Sequence, residues 1–294
     1  MHTIAIFARK FSPEHRLSLQ TIFELIELEG GKVLIYENLY KNIAKHFKIT
    51  NLAGTFSTPE ELNSNANFII SLGGDGTLLE CVSYVKNSGI PVLGINMGRL
   101  GFLSSVDVSE IQSAINAIFN KKFSVSQRTL LRIKSISGIQ TPEPSFAMND
   151  ITVSKRDTNS MIVIHAWIND IHVNSYWADG LIVATPTGST AYSLSCSGPI
   201  LTPDSRNFIL NPIAPHNLSV RPIVFPDNSK IKLEINGRSK YFHLTLDSRT
   251  ISVKTGSTIE IEKESFQISI VSLPRDNFFQ VIRDKLQWGS DKRN

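Results

Sequence analysis

Apolar positions fall into two textures along this chain. In the first 123 or so residues, short apolar runs alternate with stretches of helical spacing; beyond them, apolar and polar residues alternate with period two. Thr3–Phe7, Val33–Tyr36, Phe68–Leu72 and Pro91–Ile95 are apolar runs of strand length. Leu17, Ile22, Leu25, Ile26 and Leu28 form a helical stripe that stops at Gly30-Gly31. A second helix is predicted from near Leu78 to Gly89, and Ile111, Ile115, Ile118 and Phe119 mark a third. Strands alternating with helices predict a parallel sheet covered by helices. Ligands of such sheets sit beyond the carboxyl ends of the strands.

Past Phe123, Leu131, Ile133 and Ile136 come close to alternation, and Met161–Ile168 and Ile171–Tyr176 read as strands separated by Asn169-Asp170. Ile231, Leu233 and Ile235 alternate with Lys232 and Glu234, and Asn236-Gly237 then predicts a tight hairpin into Phe242, Leu244 and Leu246. Thr258–Glu262 and Phe266–Ser272 continue the pattern, and helical spacing returns from Phe278 to Trp288. The expected architecture is an α/β N-terminal domain with a parallel sheet, residues 1–124, and a β-rich, sandwich-like C-terminal domain, residues 125–274. The tail, 275–294, is expected to pack back on the first domain.

Composition narrows the function classes. With 294 residues the chain can bury two cores, and a formal charge of +4, spread without a block of like charges, offers no nucleic-acid arm. Cys81 and Cys196 have neither paired nor metal-ligand spacing, and the seven histidines show no metal pattern. Met1–Phe7 enters a strand directly, and no apolar stretch approaches bilayer length. The expectation is a cytoplasmic protein with no membrane and no nucleic-acid partner.

Three segments carry chemistry. Gly73-Gly74-Asp75-Gly76-Thr77 follows an apolar strand and precedes a helix. Glycines there let backbone N–H groups approach a ligand, and the helix start favours phosphate. An aspartate in such a loop repels phosphate, so Asp75 is expected to meet a hydroxyl or a metal, as in a kinase acting on an alcohol. A bare strand-to-helix turn would need neither Asp75 nor Thr77, and no Walker A or Rossmann glycine fingerprint is present. The run from Asp179 to Ser195, which includes Thr185-Pro186-Thr187-Gly188-Ser189-Thr190-Ala191-Tyr192, packs small and hydroxyl residues after an apolar strand. Such a run offers many hydrogen bonds at close range, and Tyr192 can stack on a base. It is not a nucleophile elbow, which sets aside a serine hydrolase. Asn149-Asp150 and the stretch from Asn96 to Leu103 read, each by itself, as a strand edge and an irregular loop.

Together these segments resemble bacterial NAD kinases over nearly the whole chain. The glycine loop alone is shared with diacylglycerol, sphingosine and phosphofructokinase-type enzymes; Asp179 to Ser195, following Asn149-Asp150 in this order, makes the resemblance specific. It implies transfer of the γ-phosphoryl group of ATP to the 2′-hydroxyl of the adenosine ribose of NAD, giving NADP. It further implies a divalent cation, Mg²⁺, and a homo-oligomer, dimer or tetramer, with NAD and ATP as its small-molecule partners. By position, Asp75 matches the proton acceptor, and Gly73, Gly74, Gly76 and Thr77 the phosphate-facing loop, with Gly76 also bordering NAD. Asn149 and Asp150 match the adenosine-binding pair and Asp179 a carboxylate facing the nicotinamide portion. Thr187, Thr190, Ala191, Tyr192, Ser193, Leu194 and Ser195 match the adenine and ribose pocket. No protein side chain is singled out as a metal ligand. The chain departs from the family pattern at Trp177, where a basic residue is common, and at Arg249, where His or Gln is common; Ser160 falls at another variable contact. Two other readings remain: a lipid kinase sharing the glycine loop, and a non-catalytic NAD or NADP sensor, which would need no carboxylate in that loop.

Overall fold

The computed structural model describes residues 2–98, 101–104, 106–156, 161–274 and 277–289, and divides into two compact units, Met1–Gln127 with Ile268–Asn294, and Arg128–Gln267. The chain opens with β1 (Thr3–Phe7), α1 (Arg16–Leu28), β2 (Lys32–Tyr36), α2 (Glu37–Ile43), β3 (Leu52–Phe56), α3 (Pro59–Asn65), β4 (Phe68–Leu72), α4 (Asp75–Val85), β5 (Val92–Asn96), β6 (Val106–Asp107), α5 (Ile111–Phe119) and β7 (Ser124–Ile136). Strands β3-β2-β1-β4-β5 lie side by side in that order, all parallel. Their apolar runs are buried nearly without interruption, as expected for strands covered on both faces. On α1 the buried face is Leu19, Ile22, Phe23 and Ile26, while Leu17 and Leu28 of the predicted stripe are exposed.

Two elements of this unit lacked an apolar signal. Helix α3 buries only Leu62 and is defined by its start: Thr58 accepts from the Glu61 N–H, Glu61 reaches back to the Thr58 N–H, and Pro59 occupies the first turn. Strand β3 alternates buried and exposed positions only weakly.

The second unit continues with β8 (Phe146–Ala147), β9 (Asp150–Lys155), β10 (Ile162–Ile168), β11 (Ile171–Ala178), β12 (Gly180–Ala184), α6 (Tyr192–Ser195), β13 (Asn207–Ile213), β14 (Ile223–Pro226), β15 (Ile231–Asn236), β16 (Tyr241–Leu246) and β17 (Arg249–Lys254). Strand β18 (Thr258–Ser272) then leads back to the first unit, where Ile270 pairs in parallel with Val92, and α7 (Phe278–Leu286) follows. An antiparallel sheet runs β14-β13-β12-β9-β16-β17, and β11-β10-β15-β18 form the antiparallel strands opposite it. One core, including Ile164, Tyr176, Val183, Phe208, Leu233 and Phe242, draws side chains from both, which makes the unit a sandwich.

The hairpin predicted at Asn236-Gly237 does not form. Strand β15 pairs with β10 and β18, whereas β16 pairs with β9 and β17, so the chain changes sheets between them. A two-residue hairpin turn of that type needs positive φ at both central residues. Neither Asn236 nor Gly237 has it, whereas Asn169 and Asp170, between β10 and β11, do. The true turn into β17 is at Asp247-Ser248, with Asp247 at φ 54°.

Strand β12, Gly180-Leu181-Ile182-Val183-Ala184, is buried on both faces. Leu181 and Val183 face the sandwich core; Ile182 and Ala184 join Ile209 in a small outer cluster capped by Cys196 and Leu201. An all-apolar strand in an antiparallel sheet needs a cover on its outer side, and the hydroxyl-rich segment after it supplies one.

Candidate functional site

In the first unit, α4 begins at Asp75, earlier than the predicted Leu78, because Gly74 acts as its N-cap and accepts from the N–H groups of Thr77 and Leu78. The glycine loop is thus the first turn of the helix, where backbone N–H groups lack intrahelical acceptors and the helix dipole favours negative charge. Gly73 has φ 149°, and a Cβ there would come within 2.5 Å of Thr77 Oγ1, so only glycine fits.

The Asp75 carboxylate is held by the stretch that follows β5. Its Oδ2 accepts from Phe102 N–H at 2.9 Å, and its Oδ1 accepts from Leu103 N–H at 3.1 Å and Ser104 N–H at 3.0 Å. A Cβ on Gly101 would overlap the carboxylate itself. The structure therefore joins two segments that the sequence offered separately. A carboxylate offers about four acceptor positions, so three amides leave one, on Oδ2.

In the second unit, Asn149 and Asp150 sit at the start of β9, shaped from two sides. Asp247, in the β16–β17 turn, accepts from Met148 N–H at 2.9 Å, Asn149 N–H at 2.7 Å and Asp150 N–H at 3.3 Å, and donates its own N–H to the Asp150 carbonyl. From the other side Thr185 Oγ1 donates to the Met148 carbonyl at 2.6 Å and Thr185 N–H to the Asn149 carbonyl at 2.9 Å. Gly188 packs so closely that a Cβ would overlap the Asn149 carbonyl. Asn149 Oδ1 is buried without a hydrogen-bond partner, an acceptor ready for a ligand N–H or O–H.

Electrostatics follow from burial. Asp150 is pushed up to about 7, chiefly by desolvation, with the Thr152 hydroxyl at 2.8 Å pulling the other way and the charge of Asp247 adding to the rise. Burial also raises Asp247, against the pull of its three amides and Arg249. Arg249 donates to the carbonyls of Pro144, at 2.5 Å, and Phe146, and desolvation lowers its pKa. Its guanidinium thus braces the strand leading to Met148.

The hydroxyl-rich segment is fixed largely by itself. Ser189 Oγ donates to the Pro186 carbonyl at 2.6 Å and accepts from Leu201 N–H at 3.0 Å; Thr190 Oγ1 donates to the Thr187 carbonyl; Asn211 Nδ2 donates to Ser193 at its carbonyl and hydroxyl. Thr187 and Ser193 are buried, Ala191 and Leu194 half-buried, and Tyr192 and Ser195 exposed. Asp179 forms an ion pair with Lys155 at 2.6 Å, and the exposed Trp177 ring lies 6.5 Å from that of His216. Ser160 lies outside the described residues. Among the described residues no three His, Cys, Asp or Glu side chains gather as metal ligands, and no helix is long and apolar enough to cross a membrane.

Residues 28–123 match the ATP-NAD kinase N-terminal domain family and residues 148–273 the ATP-NAD kinase C-terminal domain family. The chain is 44% identical over 292 residues to the NAD kinase of Flavobacterium psychrophilum, covering 99% of both, and 39% identical to that of Porphyromonas gingivalis, covering all of both. The chain belongs to the NAD kinase family. Among solved structures it is similar to an NAD kinase from Archaeoglobus fulgidus in complex with ATP, at 26% identity and TM-score 0.73, covering 98% of this chain and 99% of that one. A yeast NADH kinase complexed with NADH, at 23% identity and TM-score 0.89 over 99% of this chain and 89% of that one, shares the fold. In this NAD kinase family member, sequence reading missed Asp247, and also Arg9. The Arg9 guanidinium is paired with Glu80 of α4, and its Nη1 lies 3.6 Å from where a Cβ on Gly76 would stand.

Proposed function

We propose that this chain transfers the γ-phosphoryl group of ATP to the 2′-hydroxyl of the adenosine ribose of NAD, producing NADP. The observation that carries the reading is Asp75, a carboxylate locked by three amides at the head of a phosphate-facing glycine turn. Full-length likeness to NAD kinases supports it.

Asp75 Oδ2 takes the 2′-hydroxyl proton, a role worth roughly 10²–10⁴ in rate. The amides on Oδ1 keep the carboxylate from turning away. Phosphoryl transfer otherwise depends on alignment and charge stabilisation, which the N–H groups of Gly74 and Gly76 and the Thr77 hydroxyl serve, while Gly73 lets the turn form without a side chain in the way. Among the described residues no cluster of His, Cys, Asp or Glu side chains would hold Mg²⁺ by itself, so the ion would come with the donor's phosphates and would supply charge neutralisation there. Asn149 and Asp150 hold the adenosine part of NAD, Asp150 accepting from neighbouring ribose hydroxyls and Asn149 Oδ1 from the base. Thr187 and Thr190 to Ser195 line the same pocket, with Tyr192 on its exposed side; Asp179 faces the nicotinamide portion, joined by Trp177, and Arg249 contributes to NAD binding by bracing the strand that leads to Met148 and Asn149.

A coupled assay of NADP formation tests the reading. ATP with NAD should give turnover, and ATP with diacylglycerol should give none. NADP binding without ATP consumption would establish a sensor instead.

A further inference from the structure

Strand β5 carries a buried glycine at its centre, Gly94. Its φ is not positive, so the backbone conformation there does not call for glycine, and a glycine inside a strand weakens it. What calls for it is space. A Cβ on Gly94 would stand 2.8 Å from Leu78 Cδ1, 2.9 Å from Ser104 Cα and 3.1 Å from Ser104 Oγ. The Leu78 methyl is the end of a flexible side chain and can turn aside. Ser104 Cα is backbone, so relief there means lifting the chain off the sheet. Leu78 lies one turn along α4 from Asp75, and Ser104 supplies one of the two amides on Asp75 Oδ1. Gly94 therefore lies beneath both parts of the carboxylate's mount: the helix that carries it and the segment that grips it. The neighbouring strand follows the same rule. Ser71 of β4 is in register with Gly94, so it projects from the same face of the sheet, and it too is small and fully buried. The hydroxyls of Ser71 and Ser104 have no hydrogen-bond partner, which costs stability, so small size is what these positions contribute.

We propose that Gly94 is a positioning residue for Asp75: by carrying no side chain it sets how low Phe102 to Ser104 sit over β5, and so fixes the amide collar that aims Oδ2. This rests on the reading of Asp75 as proton acceptor and deepens it by naming a residue that acts only through the collar. Restoring an ordinary contact of 3.4–4 Å from 2.9 Å would move the Ser104 backbone by about 0.5–1 Å, and a misplacement of about 1 Å can cost about 10²-fold in rate.

Two variants close the same gap from opposite sides. Gly94→Ala adds a methyl beneath Ser104, and Ser104→Thr adds one to the buried side chain that faces Gly94. Each is checked for an unchanged far-ultraviolet spectrum and assayed for NADP formation with ATP and NAD varied separately. Gly94→Ala should lower kcat about tenfold or more, and Ser104→Thr less, with both KM values within about twofold of the parent. In an Asp75→Asn background, Gly94→Ala should change kcat by less than about twofold, because there is no base left to aim. Amide hydrogen exchange, followed by NMR, reads the collar directly: Leu103 and Ser104 should exchange about tenfold faster in either variant, with the amides of β1 unchanged. Ser104→Thr keeps the test decisive if Gly94→Ala fails to fold. Parental kcat in the folded variants would overturn the proposal, as would a full further loss of kcat in the Asp75→Asn background or parental exchange at Leu103 and Ser104. Failure of the kinase reading looks different: the parent then makes no NADP, and the exchange measurement still decides whether Gly94 sets the collar.

Discussion

Asp247→Asn separates positioning from ligand contact at the nucleoside end of the site. The substitution keeps the size and shape of the side chain but turns one acceptor oxygen into an NH₂ donor. The carboxamide oxygen can stay with Asn149 and Asp150, whose N–H groups share Oδ1, leaving the NH₂ facing the Met148 N–H that Oδ2 accepted at 2.9 Å. One charge-assisted hydrogen bond is lost, about 1.5–3 kcal/mol, and a buried N–H is left without an acceptor, about 1–3 kcal/mol more. Against this, a desolvated charge disappears together with its repulsion of Asp150. The net expectation is a loss of about 2–4 kcal/mol, read as a lower urea midpoint at unchanged m. Because the amides of Asn149 and Asp150 then lose a firm anchor, the KM for NAD should rise about tenfold while the KM for ATP holds. The pKa of Asp150 should also fall from about 7, since the neighbouring charge is gone, moving the acid limb of NAD binding to lower pH. A variant that unfolds at the parental midpoint and binds NAD within about twofold of the parent would refute the clamp.

Other perturbations give different signatures. Asp75→Asn should lower kcat by roughly 10²–10⁴ while NAD still binds, measured by coupled assay and calorimetry; near-parental turnover would remove Asp75 from the base role. Gly188→Ala should drive its new methyl into the Asn149 carbonyl and raise the KM for NAD more than the KM for ATP; equal effects on both would place the damage elsewhere. For Asp150, whose pKa rises from 3.8 in the unfolded chain to about 7 in the folded one, the folded state keeps a proton that the unfolded state has lost between those values, so its contribution to stability falls as pH climbs through that window and the penalty is complete above it. Asp150→Asn should flatten that slope and gain up to about 4 kcal/mol relative to the parent at pH 8 but little at pH 4, followed by urea unfolding across pH, while the KM for NAD worsens.

What the sequence disclosed tracks how local each signal is. Strand β4 and helix α5 were legible because an apolar run or a helical stripe is written into consecutive residues. The Asn236-Gly237 turn was misread because the dipeptide reports only what a turn would tolerate. Whether β15 continues into its own sheet depends on β10 and β18, which lie far away in sequence. The chemistry divides in the same way. Gly73–Thr77 and Asp179–Ser195 stood out as unusual local composition. The Asp247 clamp joins residues 97 to 99 positions apart, and the grip of Phe102 to Ser104 on Asp75 spans 27 to 29. No window of sequence contains either. Arg9 was passed over because one basic residue after a strand is ordinary, and only the fold brings it to Glu80 and Gly76.

Asp75 and Asp247 use the same device. Each carboxylate accepts three successive backbone amides, two on Oδ1 and one on Oδ2. Hydrogen bonding therefore does not tell which of the two moves a proton; their surroundings do. Asp247 is desolvated, lies in the field of Arg249 and belongs to a turn whose work is to shape β9. Asp75 sits at the first turn of α4 among glycines that bring no side chain to cover it, with its remaining acceptor position on the turn where phosphates are expected. The same Asp→Asn change should thus divide cleanly: at 247 it should cost stability and NAD affinity with kcat near parental, and at 75 it should cost kcat with NAD affinity near parental. If both variants lose kcat alike, the amide collar and not the free oxygen is what matters at Asp75, and the base must be sought elsewhere.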